Sequence, residues 1–186
     1  WYDEAVRLEG NVEVSKCTLA TATPDGVPSN RVVKLTQWDM RGFQFQTHKE
    51  SRKAKEIKEN PKGAMVFYWA KGDQSVRIEG SIVEAGDKES DSAFFTKTHQ
   101  QRLLALTSVP GQEVESIGEV ANKINKKHVE LKKVASISRP ENYGSFRIEP
   151  TRFEFWAGAK NGLDDVTSYT RDTTELDVWQ RAVLSP

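Results

Sequence analysis

The chain has 186 residues, and Lys plus Arg balances Asp plus Glu at 27 each, so no overall field draws it to nucleic acid or to an anionic membrane surface. Its single cysteine, Cys17, excludes an internal disulfide, no His- or Cys-rich cluster marks a structural metal, and no apolar run approaches the ~18 residues of a membrane span. What remains is one domain over 1–186 with room for a real core in a reducing, cytoplasmic setting; the start at Trp1, without a methionine or a signal-peptide pattern, implies a missing N-terminal segment.

In chain order, Trp1, Ala5 and Leu8 share one helical face, the tail of an amphipathic helix. Cys17 to Thr23 reads as a strand, Pro24-Asp25-Gly26 as a turn, and residues 28–36 as the second strand of a hairpin. Asp39 to Gly42 is a further turn, and Phe43 to Thr47 alternates as a half-buried strand does. A short helix follows, with Ser51 as its N-cap and an end near Asn60-Pro61. Gly63 to Trp69 and Val76 to Val83 form another hairpin about Lys71 to Gln74. Five strands joined mainly by short turns, with one helix inserted, predict a mainly β protein with helices (α+β): an antiparallel sheet closed into a barrel.

Residues 87–106 read as helical, anchored by Ala93, Phe94, Leu103 and Leu104, and Val109-Pro110-Gly111 breaks them. Residues 113–135 read as a long charged helix whose Val114, Ile117, Val120, Ala121, Ile124, His128, Leu131 and Val134 form a narrow apolar stripe. Strands return at Tyr143–Glu149, Arg152–Ala157, about 166–171 and Val178–Leu184, with turns at Pro150-Thr151 and Asp172-Thr173-Thr174.

The chemistry legible in these elements is an anion site. Arg52 and Lys53 stand in the first turn of the short helix, where cations oppose the macrodipole unless an anion is bound. With Arg31 and the helix amides they would make a phosphate cradle, against the plainer reading of two solvated charges in a Lys-rich helix. His48, His99 and His128 stand far apart with no metal-ligand spacing, and His128 reads as a packing or surface residue. Cys17 reads as a small buried hydrophobe, Asp164-Asp165 as a polar turn before a carboxylate pair, and Trp69 and Trp156 as core aromatics before stacking platforms. There is no glycine-rich dinucleotide fingerprint and no P-loop.

Beyond composition and spacing, the chain resembles the pyridoxine/pyridoxamine 5′-phosphate oxidase family almost end to end. The resemblance is carried by Asp25 to Val33, Arg41-Gly42-Phe43, Ser51-Arg52-Lys53-Ala54, Asn60-Pro61 with the strand to Trp69, Val76 to Gly80, Glu154-Phe155-Trp156, and Trp179 with Leu184-Ser185-Pro186. It implies a Greek-key split β-barrel that binds FMN at the interface of a homodimer. It also implies an oxidase that passes hydride from its substrate to flavin N5, with dioxygen as acceptor, and forms pyridoxal 5′-phosphate. By matching position, Arg31, Arg52 and Lys53 would hold the FMN phosphate, with Val32, Val33, Thr47, Ser51 and Trp156 also at the cofactor site. Lys97, Gln101 and Asp164 fall where substrate would be met; catalytic residues are unassigned, and neither metal, nucleic acid nor membrane is implied.

The departures from the family pattern cluster on the substrate side. Its substrate-phosphate lysine falls on Thr36, and its tyrosine, arginine and serine on the next helix fall on Ala93, Lys97 and Gln101. Its Arg-Leu-His reads Gly162-Leu163-Asp164, and, on the cofactor side, its flavin-contacting arginine just beyond falls on Val166. A glutamine before the Val76 strand aligns with Ser75, beside Gln74, and a glutamine-serine pair becomes Pro110-Gly111, beside Gln112. Charge-assisted hydrogen bonds are each worth about 1.5–3 kcal/mol, so losing several of them bears on the choice of substrate. Three readings follow: an oxidase of the pyridoxamine phosphate type, an FMN-dependent oxidoreductase on a less anionic substrate, or a non-catalytic flavin- or ligand-binding paralogue.

Overall fold

A computed structural model describes residues 1–132, 134–172 and 178–186; Thr173-Thr174, read above as part of a turn, lie outside the described residues. Each alternating run becomes a strand: β1 (Lys16–Ala22), β2 (Pro28–Asp39), β3 (Gly42–His48), β4 (Lys62–Trp69), β5 (Gln74–Glu84), β6 (Tyr143–Ala157), β7 (Asp165–Arg171) and β8 (Trp179–Leu184). The ladders run β3-β2-β1-β4-β5-β6, all antiparallel, and β6 returns to β3 to close a six-stranded barrel. Strands β7 and β8 continue outward from β6 as a flap. Inward-facing Leu19, Phe45, Met65, Ile78 and Ile148 fill the barrel and are shut off from solvent.

Pro150-Thr151 is not a turn, because one strand runs through it. The first part of β6, Tyr143–Ile148, pairs with β3, whereas Arg152–Ala157 pairs with β7. Pro150 sits at the change of partner, opposite Gly80 and a register shift in β5, the kind of irregularity where a residue without an N–H is tolerated in a sheet. A side chain at Gly80 would run into the Glu149 carbonyl, so glycine is what lets the two strands close at this corner.

Around the barrel lie α1 (Tyr2–Glu9), α2 (Asn11–Val14), α3 (Arg52–Glu59), α4 (Asp87–Phe95), α5 (His99–Thr107) and α6 (Ile117–Leu131). The α1 face that packs inward is Tyr2, Ala5 and Val6; Trp1 and Leu8, expected on it, are exposed. The helical run from 87 splits in two, because Thr98 starts a new helix with a capping box to Gln101. Helix α6 is shorter than the expected 113–135 and buries no residue outright. Of its stripe, Ile124 and Leu131 pack against a small second core of Phe94, Leu103, Ala105, Ile137 and Tyr143, while Ile117, Val114 and Val134 stay exposed, as does Leu104 on α5. No helix among the described residues is long and apolar enough to cross a membrane.

Candidate functional site

Strand β2 changes ladder partner at Leu35. Its residues 28–34 pair with β1, and its ladder with β3 begins at Leu35–Phe45. The barrel is therefore split between the start of β2 and the end of β3, and helix α3 leaves from that gap. A cavity of about 760 Å³ occupies it, lined on one side by β2 from Ser29 to Thr36 and on the other by Gln46, Thr47, Arg52 and Lys53. Thr96, Lys97, Gln101, Pro110 and Gly111 close the far end. Among the described residues that line it, five are cations (Arg31, Lys34, Arg52, Lys53 and Lys97) and none is a carboxylate. A cavity built this way selects an anion.

Lys53 is the clearest part of that field. Its side chain is 9% exposed, its ammonium donates to Thr47 Oγ1 at 3.3 Å, and it enters no ion pair among the described residues. Burial, and then the like charge of Arg31, push its pKa below the ordinary lysine range. Lys53 is thus a buried cation whose hydrogen bond among the described residues goes to one hydroxyl, at the start of a helix with no acid in its first turn, an arrangement that favours an anion.

Arg31 and Arg52 are differently placed. Arg31 Nη1 donates to the Leu19 carbonyl at 3.3 Å and to Thr21 Oγ1 at 2.6 Å, and Nη2 donates to Ser29 Oγ at 2.5 Å and Glu56 Oε2 at 3.4 Å. Arg52 is exposed, and its Nε donates to Glu56 Oε1 at 2.8 Å. Glu56 is the site residue that sequence reasoning missed. It is 4% exposed and also accepts from Thr21 Oγ1 at 2.5 Å and Ser29 Oγ at 2.6 Å. Burial by itself would push the Glu56 pKa up, but the Ser29, Thr21 and Arg52 hydrogen bonds outweigh it and hold the pKa down at about 2. The signal available was its place four residues after Arg52.

Of the expected cofactor residues, Arg31, Val32, Val33, Thr47, Arg52 and Lys53 meet in this cavity. Ser51 does not line it, and as N-cap it makes no capping bond: its hydroxyl donates to the His48 carbonyl at 2.7 Å and lies 3.2 Å from Thr47 Oγ1. It buttresses Thr47 from behind. Trp156 lies elsewhere, in the half of β6 beside β7, where its indole donates to Asp164 Oδ2 at 3.2 Å. Asp164 also accepts from the Ala159 amide, so it fixes Trp156 and does not line this cavity.

Lys97 and Gln101 do reach the far end. Lys97 lies over the Tyr143 ring, and burial, then the charge of Lys34, lower its pKa. Gln101 Oε1 already accepts from the Thr98 amide in the capping box. Lys34 and Gln46 are further lining residues outside the expected set, and Thr36 gives its hydroxyl to the Gln44 carbonyl.

The remaining candidates resolve plainly. Cys17 is buried, its pKa pushed up to about 12 by burial, and Trp69 is a core residue, as expected. His48 is buried against Tyr143 with its pKa lowered by burial. His99 and His128, unlinked in sequence, meet across α5 and α6 at 3.1 Å between Nε2 and Nδ1, on the exposed side. No group of three or more metal-ligating side chains occurs among the described residues.

Comparison with known proteins places this geometry among relatives. Residues 13–157 match the family model described as pyridoxamine 5′-phosphate oxidase, and residues 143–186 match that of the pyridoxine 5′-phosphate oxidase C-terminal dimerisation region. The pyridoxine/pyridoxamine 5′-phosphate oxidase of Rubrobacter xylanophilus is 38% identical over 189 residues, covering all of this chain and 83% of its own. That of Nostoc punctiforme is 39% identical over 187 residues, covering all of this chain and 85% of its own. Among solved structures, PhzG from Burkholderia lata in complex with tetrahydrophenazine-1-carboxylic acid is 27% identical with a TM-score of 0.89, covering all of this chain and 89% of that one. A pyridoxamine 5′-phosphate oxidase-related, FMN-binding protein from Nostoc punctiforme shares the fold at 18% identity and a TM-score of 0.79, over 99% of this chain and 95% of that one.

Proposed function

The chain belongs to the pyridoxamine 5′-phosphate oxidase family, and from that premise we propose that it is an FMN-dependent oxidase acting, as one domain, on a small anionic substrate. The observation that carries the reading is the split in the barrel: a cavity that the described residues line with five cations and no carboxylate, ending on a buried Lys53 whose one hydrogen-bond partner among them is a hydroxyl. Lys53, Arg52 and the outer edge of Arg31 would hold the FMN phosphate. The open edge of β2 at Val32 and Val33 would meet the flavin's polar groups, with Thr47 beside it. When bound, the flavin supplies hydride acceptance and reoxidation by dioxygen. The protein's part is to bind, to orient, and to keep the anion end dry: the Lys53 ammonium is held out of bulk water, so its attraction for phosphate is weakly screened.

On this reading the chain works as a homodimer. The C-terminal dimerisation match supports it, as do exposed Val32 and Val66, which flank Thr18 across neighbouring strands on the barrel's outer face. Trp156, remote from this chain's own cavity, is then assigned to the cavity of the second copy. A reducing, cytoplasmic setting suits the single buried thiol.

The first substrate reading is pyridoxamine or pyridoxine 5′-phosphate, giving pyridoxal 5′-phosphate. A second is favoured by the far end of the cavity, where only Lys34 and Lys97 offer charge and Thr36 stands in place of a cation. Two ammonium groups suit a carboxylate on a reduced ring, the kind of ligand that the Burkholderia lata relative holds. The third, a non-catalytic flavin-binding module, shares the Lys53 end. An absorbance spectrum of purified protein, with and without added FMN, comes first. Flavin uptake with peroxide release on pyridoxamine 5′-phosphate is the expected result, and peroxide only with a reduced ring carboxylate selects the second reading. Uptake without turnover selects the third, and no uptake of FMN overturns the proposal.

A further inference from the structure

We propose that Glu56 is the positioning residue of the anion end, holding Arg31 and Arg52 in place for a phosphate that it does not itself touch. The inference rests on the reading that this cavity takes the FMN phosphate.

Glu56 faces away from the large cavity and borders a smaller recess of about 560 Å³ behind it, which shares Arg52, Pro110 and Gly111 with the first. From there its two oxygens reach three elements: Arg52 on its own helix, Thr21 on β1, and Ser29 and Arg31 on β2. Thr21 and Ser29 stand opposite each other in the β1–β2 ladder, so the two hydroxyls are presented side by side. Each gives its proton to the carboxylate and accepts one from Arg31. The circuit is closed, and together with the Leu19 carbonyl it occupies both terminal nitrogens of Arg31, leaving Nε–H as the donor still available among the described residues. A free arginine side chain samples many rotamers, and ordering it on binding opposes affinity; here that ordering is complete before a ligand arrives.

The carboxylate has a second, opposite effect. Its charge partly cancels the attraction of Arg31, Arg52 and Lys53 for an anion. If charge alone mattered, removing it would tighten phosphate binding; if position matters, removing it frees Arg31 and Arg52 and weakens binding. The two accounts differ in sign, which makes the role measurable.

The test titrates the full-length chain with FMN and with riboflavin, which lacks the phosphate, following flavin fluorescence, for wild type and Glu56→Gln. The positioning role predicts about a tenfold or greater loss of FMN affinity while riboflavin changes by less than about twofold. FMN affinity that is unchanged or tighter overturns it. Thr21→Val and Ser29→Ala keep the carboxylate and each remove one of the two hydroxyls that bridge it to Arg31, so they decide the matter if Glu56→Gln does not give the wild-type circular dichroism spectrum. The same selective loss, smaller in size, is expected from each, and an unaltered ratio of FMN to riboflavin affinity in both overturns the proposal. A wild type that binds FMN no better than riboflavin removes the phosphate reading itself, and with it this inference, before any variant is made.

Discussion

The two ends of the cavity are built on different principles. At the α3 end, one buried carboxylate and two hydroxyls tie a helix to two strands, and the cations stand on a barrel whose core is fully shut. At the other end, α5 and α6 lean on a five-residue cluster, α6 buries nothing outright, and the chain between them passes the cavity mouth as the Pro110-Gly111 loop. The first end is organised before any ligand comes; the second is held by a few apolar contacts and by caps. Within one fold, this leaves the anion end committed to a single task and the other end free to vary in what it admits.

The largest effect should come from breaking the lighter end. Phe94 is fully buried at the centre of its cluster, so Phe94→Ala should cost about 3–5 kcal/mol. Hydrogen exchange should then quicken over 87–131 while amides of β1, β2 and α3 keep their protection; a uniform loss would mean that the two ends are one cooperative unit. Lys53→Met tests the other end, and should weaken FMN binding by about 1.5–3 kcal/mol, roughly 10- to 150-fold, in fluorescence titration with little change in melting temperature. Unchanged affinity would remove Lys53 from the site.

A pH series sharpens the contrast further. The Glu56 pKa falls from 4.5 to about 2 on folding, so its contribution to stability is complete above about pH 4.5 and is lost as pH falls through about 2. The urea midpoints of wild type and Glu56→Gln should therefore differ most above that window and converge below it. The smallest effect belongs to the exposed histidine contact between α5 and α6. His128→Ala should change stability by less than about 1 kcal/mol, since an exposed hydrogen bond exchanges readily with water.

How far each end is legible in the sequence follows the same division. Strand alternation and the turns at Pro24-Asp25-Gly26 and Asp39 to Gly42 announce the barrel, and the cations of Ser51-Arg52-Lys53 announce an anion site. Glu56 is hidden, because its importance depends on the register that sets Thr21 against Ser29, and register is a long-range fact. Pro150 reads as a break because a lone strand has no way of saying that its partner changes there. The α6 stripe reads as a buried face because periodicity reports which side is apolar, not whether anything covers it. His99 and His128 lie 29 residues apart and meet through the packing of two helices that no local pattern orients.

Strand β6 carries a consequence for how such a protein can change over time. It is paired from Phe146 to Ala157 with β5, over Tyr143–Ile148 with β3 and over Arg152–Ala157 with β7, so three ladders share its fifteen residues. Inserting or deleting a single residue early in β6 would turn every later side chain to the opposite face, exchanging Phe153 and Phe155 for neighbours that include Arg152 and Glu154. Length changes in a lineage carrying this barrel are therefore expected outside that stretch, in segments such as 108–116 and 158–164. New specificity would then arise by lengthening and trimming those rims while β6 keeps a constant count.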